Sequence, residues 1–269
     1  MVETDKVFAG SIPELYDTYL TPLIFEAYAA DLAERVADFA PESVLETAAG
    51  SGVVTRALAA RLMSNARYVV TDLNQPMLDY ARSKQGPDDR ILWRQADALK
   101  LPFDDASFDV VVCQFGVMFF PDKVAGYAEA RRVLKSGGKF IFNVWDHIGV
   151  NEFAAIATEV AAAEFPDDPP QFLARTPHGY HDVDVIREEL EDAEFSEISF
   201  TTMEKTSVAP SPRHPAIAYC EGTPLRNEIE IRDGSRLPRI TDKTADAIAE
   251  RFGDGPVTGK IQSHIVTAQ

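Results

Sequence analysis

Apolar residues follow two rhythms along the chain. From Ile12 to Phe39, Leu20, Leu23, Ile24, Tyr28, Leu32 and Val36 recur mostly every three or four positions, with Asp31, Glu34 and Arg35 off that stripe. This spacing predicts helix, in two segments broken near Pro22, because proline offers no backbone N–H to the helical ladder. The rhythm then changes. Ser43–Thr47, Arg67–Thr71, Ile91–Gln95, Phe108–Cys113 and Lys139–Trp145 are short β-branched or aromatic runs, separated by helical stretches at Val53–Met63, Gln75–Lys84 and Asp122–Leu134. Alternating strands and helices at this spacing predict an α/β fold with a parallel sheet covered on both faces.

After Asp146 the alternation stops. Asn151–Glu164 reads as helix, 166–181 as a loop rich in Pro, Gly and His, Val183–Leu190 as helix and Glu197–Met203 as strand. Pro-rich turns and helical stretches, among them Ala245–Phe252, fill 204–255, and Lys260–Thr267 is a last strand-like run. The expected organisation is an N-terminal helical cap (1–42), a core (43–203), a helical insertion or lid (204–255) and a closing strand (256–269). Gly137-Gly138 is expected to stop the preceding helix with a left-handed turn.

Charge and cysteine content narrow the function. The 269 residues carry 26 Lys+Arg against 43 Asp+Glu, a formal net charge of −17. Such a chain repels a phosphate backbone. Its main basic groupings, Arg131-Arg132 with Lys135 and Arg213-His214, look like ordinary helix-surface charge, so nucleic acid is not an expected partner. The two cysteines, Cys113 and Cys220, form neither a disulfide framework nor a CxxC site, and no His/Cys/Asp spacing suggests a metal. No stretch has the length of a signal peptide or membrane span, so a cytoplasmic, reduced protein is expected.

The chemistry concentrates at three strand ends. Glu46-Thr-Ala48-Ala-Gly50-Ser-Gly52 places an acid at the end of the first strand, followed by small residues that let a ligand approach the backbone. As a dinucleotide fingerprint the loop is incomplete, because Thr55 stands where the third glycine belongs. Asp72, twenty residues past Gly52, ends the second strand, where a carboxylate can accept both hydroxyls of a ribose; a helix-cap role competes with that reading. Asp97 follows the third strand and suits an exocyclic amine such as that of adenine.

These motifs together resemble the class I S-adenosylmethionine-dependent methyltransferases, in particular the small-molecule branch of type 11, which includes quinone-biosynthesis C-methyltransferases. The resemblance rests on Val44-Leu-Glu-Thr-Ala-Ala-Gly-Ser-Gly52, Val70-Thr-Asp-Leu-Asn74 with Met77, Ala96-Asp-Ala98 with Leu101-Pro-Phe103, Phe108-Asp-Val110 and Arg132-Val-Leu-Lys-Ser-Gly-Gly138. It is strong over 43 to about 147 and loose elsewhere. It implies a Rossmann-like, doubly wound, mostly parallel seven-stranded sheet with helices on both faces and a helical lid. It also implies S-adenosyl-L-methionine as cofactor, with S-adenosyl-L-homocysteine as product.

By that resemblance Ala48, Gly50 and Gly52 pass close to the methionyl part, with Glu46 nearby. Asp72 holds the ribose hydroxyls, Leu73 and Met77 pack on adenine, Asp97 and the Ala98 backbone read its amine, and Gln114 and Phe115 close the site. Tyr19 joins the cofactor set and Tyr16 the substrate set, as a tyrosine lid. Ala48 departs from the glycine usual at this position.

Phe115, Met118 and Phe119 are candidate walls of an apolar acceptor pocket. A sulfonium methyl is already activated, so alignment and exclusion of water are the main tasks and a general base is optional. No catalytic residue is assigned: His147, His178 and Tyr180, with His181, are candidates for a base or acceptor-orienting group. The expected function is methyl transfer to an oxygen, nitrogen or carbon of a small, partly apolar molecule. Two other readings stay open, a nicotinamide-dependent reductase and a non-catalytic S-adenosylmethionine-binding protein. The expected partners are the small-molecule acceptor and, in a homodimer, a second copy of the chain.

Overall fold

The computed structural model describes residues 12–269. The described residues begin with a helix, α1 (Ile12–Leu15), which continues without a break through a wider π-helical stretch, Tyr16–Phe25, into α2 (Glu26–Ala37). The expected interruption at Pro22 is thus a change of helical register, since Pro22 lies inside the π-helical stretch. A residue without an N–H is tolerated where the i→i−4 ladder is already given up.

The strands and helices that follow are β1 (Ser43–Glu46), α3 (Val53–Ala59), β2 (Arg67–Asp72), α4 (Gln75–Gln85), β3 (Ile91–Gln95), β4 (Phe108–Gln114), α5 (Lys123–Val133) and β5 (Leu134–Trp145). Then come α6 (Glu152–Glu164), α7 (Phe172–Arg175), α8 (Val183–Asp192), β6 (Ile198–Ala209), α9 (Arg213–Cys220), α10 (Leu225–Asp233), α11 (Leu237–Phe252) and β7 (Val257–Ala268). β6 runs past the expected end at Met203, and α11 starts well before Ala245. Both extensions are masked in the sequence, the strand by the polar Glu204-Lys205-Thr206-Ser207 and the helix by Pro238.

The described residues divide into two compact units. One comprises Glu26–Val144, Asp182–Thr202 and His264–Gln269 and carries β1 to β4 whole, nearly all of β5, and the Ile198–Thr202 and His264–Ala268 parts of β6 and β7. The strand order is β3-β2-β1-β4-β5-β7-β6. β1 pairs in parallel with both β2 and β4, β2 with β3, and β4 with β5. At the far edge, Glu197 and Gln269 exchange both backbone hydrogen bonds, which marks β6 and β7 as antiparallel. This is the Rossmann-like α/β sheet expected, with the order reversing at β1 and β4.

β1 is buried at all four residues, as a strand covered on both faces must be. α2 packs on α3 and α3 on α4, while α5 packs on α8. Between Phe108 and Val110 on β4, the register on β5 jumps from Leu134 to Lys139, so Lys135–Gly138 loops out with Gly137 at φ +80°. The expected left-handed glycine turn is there, folded into the strand as a bulge.

The other unit comprises Trp145–His181, Met203–Ser263 and the described residues up to Phe25. It is mainly helical: α11 packs on α6 and α9, and α9 packs on the π-helical stretch. Cys113 and Cys220 are buried free thiols. No helix among the described residues is long and apolar enough to cross a membrane.

Candidate functional site

The carboxyl ends of β1 and β2 are tied into one piece. Ala49 N–H donates to the Thr71 carbonyl at 3.0 Å, and Thr71 Oγ1 donates to the Glu46 carbonyl at 2.8 Å. The loop between β1 and α3 turns back on itself through left-handed residues: Ala48 at φ +52°, Gly50 at +57° and Gly52 at +78°. At Gly52 a Cβ would stand 2.9 Å from the Ala81 Cβ, so only glycine lets α3 start this close to α4. Ala48 meets the same backbone demand with a methyl group attached, at a cost of about 1–2 kcal/mol.

Glu46 is 2% exposed. Its Oε2 accepts from Thr55 Oγ1 at 2.7 Å and from the Tyr68 hydroxyl. Burial raises its pKa to about 7, against the lowering effect of those two hydroxyls. Neither hydroxyl partner was singled out from the sequence. Their signal was register: Tyr68 lies on the strand beside β1 and Thr55 on the helix that follows it.

Asp72 ends β2, buried, with Oδ2 accepting from Gly50 N–H at 2.9 Å and Oδ1 from Asn74 N–H at 2.8 Å. Burial pushes its carboxyl up from the ordinary range, opposed by these two N–H groups. The residue therefore closes the turn into α4, the competing role, and also braces the glycine loop, a contact not foreseen from the sequence. A carboxylate has about four acceptor positions, so capacity remains for a ribose diol. Beside it Leu73 is 49% exposed and so open to an apolar ligand face. Met77 reaches back over the loop, its Cε 4.0 Å from where a Gly50 Cβ would be.

After β3, Gln95 Nε2 donates to the Leu73 carbonyl at 2.8 Å, and Ala96 N–H to the Asp72 carbonyl at 3.0 Å. Asp97 is exposed and its Oδ1 accepts from Leu99 N–H at 2.9 Å; Ala98 is half-buried. At the end of β4, Gln114 is half-buried and Phe115 buried at φ +48°, its ring edge-on to Tyr28 at 5.5 Å. Gly116 holds this turn against the first loop, since a Cβ there would stand 2.6 Å from the Ala48 Cβ. Met118 is buried and Phe119 half-buried in the single helical turn that follows. The β1, β2, β3 and β4 ends are thus brought together within one compact unit.

The remaining candidates lie in the other unit. Tyr16 stacks on Phe25 at 5.2 Å, and Tyr19 lies 4.9 Å from the His214 ring while its carbonyl is 3.1 Å from His214 Nε2. His178 is buried, with Nδ1 2.9 Å from the Asp146 carbonyl. Burial lowers its pKa to about 4, so it is neutral at pH 7 and Nδ1 carries the proton donated to that carbonyl. His147 is exposed and edge-on to His181 at 5.0 Å, and Tyr180 is half-buried. No group of three or more His, Cys, Asp or Glu among the described residues is arranged to hold a metal ion.

Residues 45–142 match the family model described as "Methyltransferase domain". Over 106 residues, the chain is 42% identical to a demethylmenaquinone methyltransferase of Clavibacter sepedonicus, covering 39% of this chain and 42% of the relative. Over 139 residues it is 41% identical to the demethylmenaquinone methyltransferase of Deinococcus radiodurans, covering 51% of this chain and 57% of that one. The chain therefore spans about half the length of these relatives. In fold it is similar to phosphoethanolamine N-methyltransferase 2 of Haemonchus contortus, solved in complex with S-adenosyl-L-methionine. That likeness has a TM-score of 0.62 at 15% identity and covers 100% of this chain and 60% of the other. Residues 45–142 are thus similar to a methyltransferase domain, and the sheet around them has the fold of solved methyltransferases.

Proposed function

We propose that the protein transfers a methyl group from S-adenosyl-L-methionine to a small, partly apolar molecule. The observation that carries the reading is the Asp72 carboxylate, buried at a strand end, bonded to the glycine loop and flanked by an exposed leucine. A ribose diol needs such a carboxylate at a strand end, and an adenine face can rest on the leucine beside it. When bound, the cofactor supplies a sulfonium methyl that a nucleophile takes in line.

The rest is done by the chain. Ala48, Gly50 and Gly52 admit the methionyl backbone, and Glu46 beneath them buttresses the loop through Thr55 and Tyr68. Asp72 takes the ribose, Leu73 and Met77 the adenine, and Asp97 with Ala98 its amine. Phe115, Met118 and Phe119 wall the acceptor and exclude water. A base, where the acceptor needs one, comes from His147, His178 or Tyr180; burial lowers His178 to about 4, so its Nε2 accepts a proton less readily than an ordinary imidazole.

The acceptor class that best fits the relatives is a reduced quinone ring methylated at carbon, with oxygen and nitrogen acceptors as the other outcomes of a screen. The chain acts in the cytoplasm without nucleic acid, as monomer or homodimer. Parallel calorimetric titrations with S-adenosylmethionine, S-adenosylhomocysteine and NADH test the proposal. Binding of the sulfonium pair alone supports it, and binding of NADH alone replaces it with a reductase. Sulfonium binding followed by failure of every acceptor favours a non-catalytic binding protein.

A further inference from the structure

Phe115 is held in a conformation that a bulky L-residue avoids, φ +48°, directly after β4. Such strain persists only where the surroundings over-determine it. Two restraints do so. On one side Gly116 is pressed between the Ala48 methyl and Cys113 Sγ, each 2.6 Å from where its Cβ would be. On the other, Asn143 of β5, paired with Gln114 in the strand register, receives the Phe115 N–H twice. Its backbone carbonyl accepts at 3.2 Å and its side-chain Oδ1 at 3.0 Å.

An amide N–H can only donate, so the Asn143 atom facing it is the oxygen and the orientation of the side-chain amide is fixed by chemistry. Asn143 is fully buried, and its Nδ2 finds no acceptor among the described residues. A buried amide with an unsatisfied donor is a cost that a Val or Ile at this strand position would avoid. The compensating interaction is the hold on Phe115.

We propose that Asn143 is a positioning residue for the binding site, acting through the Phe115 main chain to aim its ring. This rests on the reading of the β4 end as part of the S-adenosylmethionine site. Losing Oδ1 releases the turn toward an ordinary negative φ, which swings the ring away from Tyr28 and from the ligand.

The test is a double-substitution cycle read by calorimetric titration with S-adenosylhomocysteine, with thermal melts to establish folding. Asn143→Leu is expected to weaken binding about fivefold or more, in line with a lost hydrogen bond. In a Phe115→Ala background the same change should do nothing further, because the ring it positions is gone. Asn143→Asp, isosteric and retaining Oδ1, should bind within about threefold of the parent, and it keeps the test available where the leucine variant does not fold. Parent-like binding by Asn143→Leu, losses that multiply in the double variant, or an Asp variant as weak as the Leu variant would each overturn the proposal. Failure of the unsubstituted protein to bind S-adenosylhomocysteine would instead remove the site reading, and this inference with it.

Discussion

Glu46 shows how one buried side chain can make the whole fold pH-dependent. With its pKa raised by burial to about 7, it stays protonated in the folded state over a range where the unfolded chain, near 4.5, has already ionised. Below the lower value both states are neutral. As pH rises through the window the unfolded state gains relative to the folded one, and above about 7 the loss is complete, about 3 kcal/mol. Glu46→Gln removes the titration and keeps an acceptor for Thr55 and Tyr68. Its melting temperature is expected to match the parent at pH 5 and to exceed it at pH 8; parallel curves would show that Glu46 does not titrate in this window. Asp72 is the complementary case, the carboxylate proposed to take the ribose. Asp72→Ala should weaken S-adenosylmethionine binding by roughly 1.5–3 kcal/mol, the range for a hydrogen bond to a charged group. An affinity within a factor of two of the parent would transfer the ribose role elsewhere.

At the scale of elements, the segment that follows Asp97 is anchored from a distance by a helix. Arg132 on α5 donates to the carbonyls of Leu101 at 2.9 Å and Phe103 at 2.8 Å and to Glu129, while Glu129 Oε2 accepts from Leu101 N–H at 2.7 Å. A planar guanidinium is needed to reach both carbonyls at once, which lysine cannot do. Arg132→Met should therefore cost about 2 kcal/mol, reduced by partial exposure, and speed hydrogen exchange selectively at 97–103. Uniform exchange changes across the domain would argue against a local anchor. The strands and most helices of this half were legible because each carries an unbroken apolar run or a three-to-four stripe. Two features were less so. The bulge at Lys135–Gly138 and the left-handed Phe115 depend on which strands become neighbours, and a linear pattern does not specify that. The Glu46–Tyr68 bond is of the same kind: both residues sit in strands foreseen from sequence, yet their contact exists only once β1 and β2 pair in the register Ser43 to Arg67.

For the whole molecule, the net charge of −17 matters most through its field on the ligands. S-adenosylmethionine carries a fixed positive sulfonium that its demethylated product lacks. An acidic protein therefore attracts the donor over several ångströms and exerts no comparable pull on the product, a bias that favours turnover. The Debye length falls from about 30 Å at 0.01 M salt to about 8 Å at 0.15 M, so steering by distributed surface charge is lost across that range while close contacts with buried groups such as Asp72 survive. The association rate of S-adenosylmethionine, followed by stopped-flow fluorescence, is expected to fall several-fold over this interval. The rate for S-adenosylhomocysteine should stay nearly constant, and both dissociation rates should change little. Equal salt dependence for the two ligands would mean that the field does not distinguish them and that the acidic surface serves solubility alone. A fall confined to the donor would tie the composition of the entire chain to the sulfonium chemistry assigned to one end of its sheet.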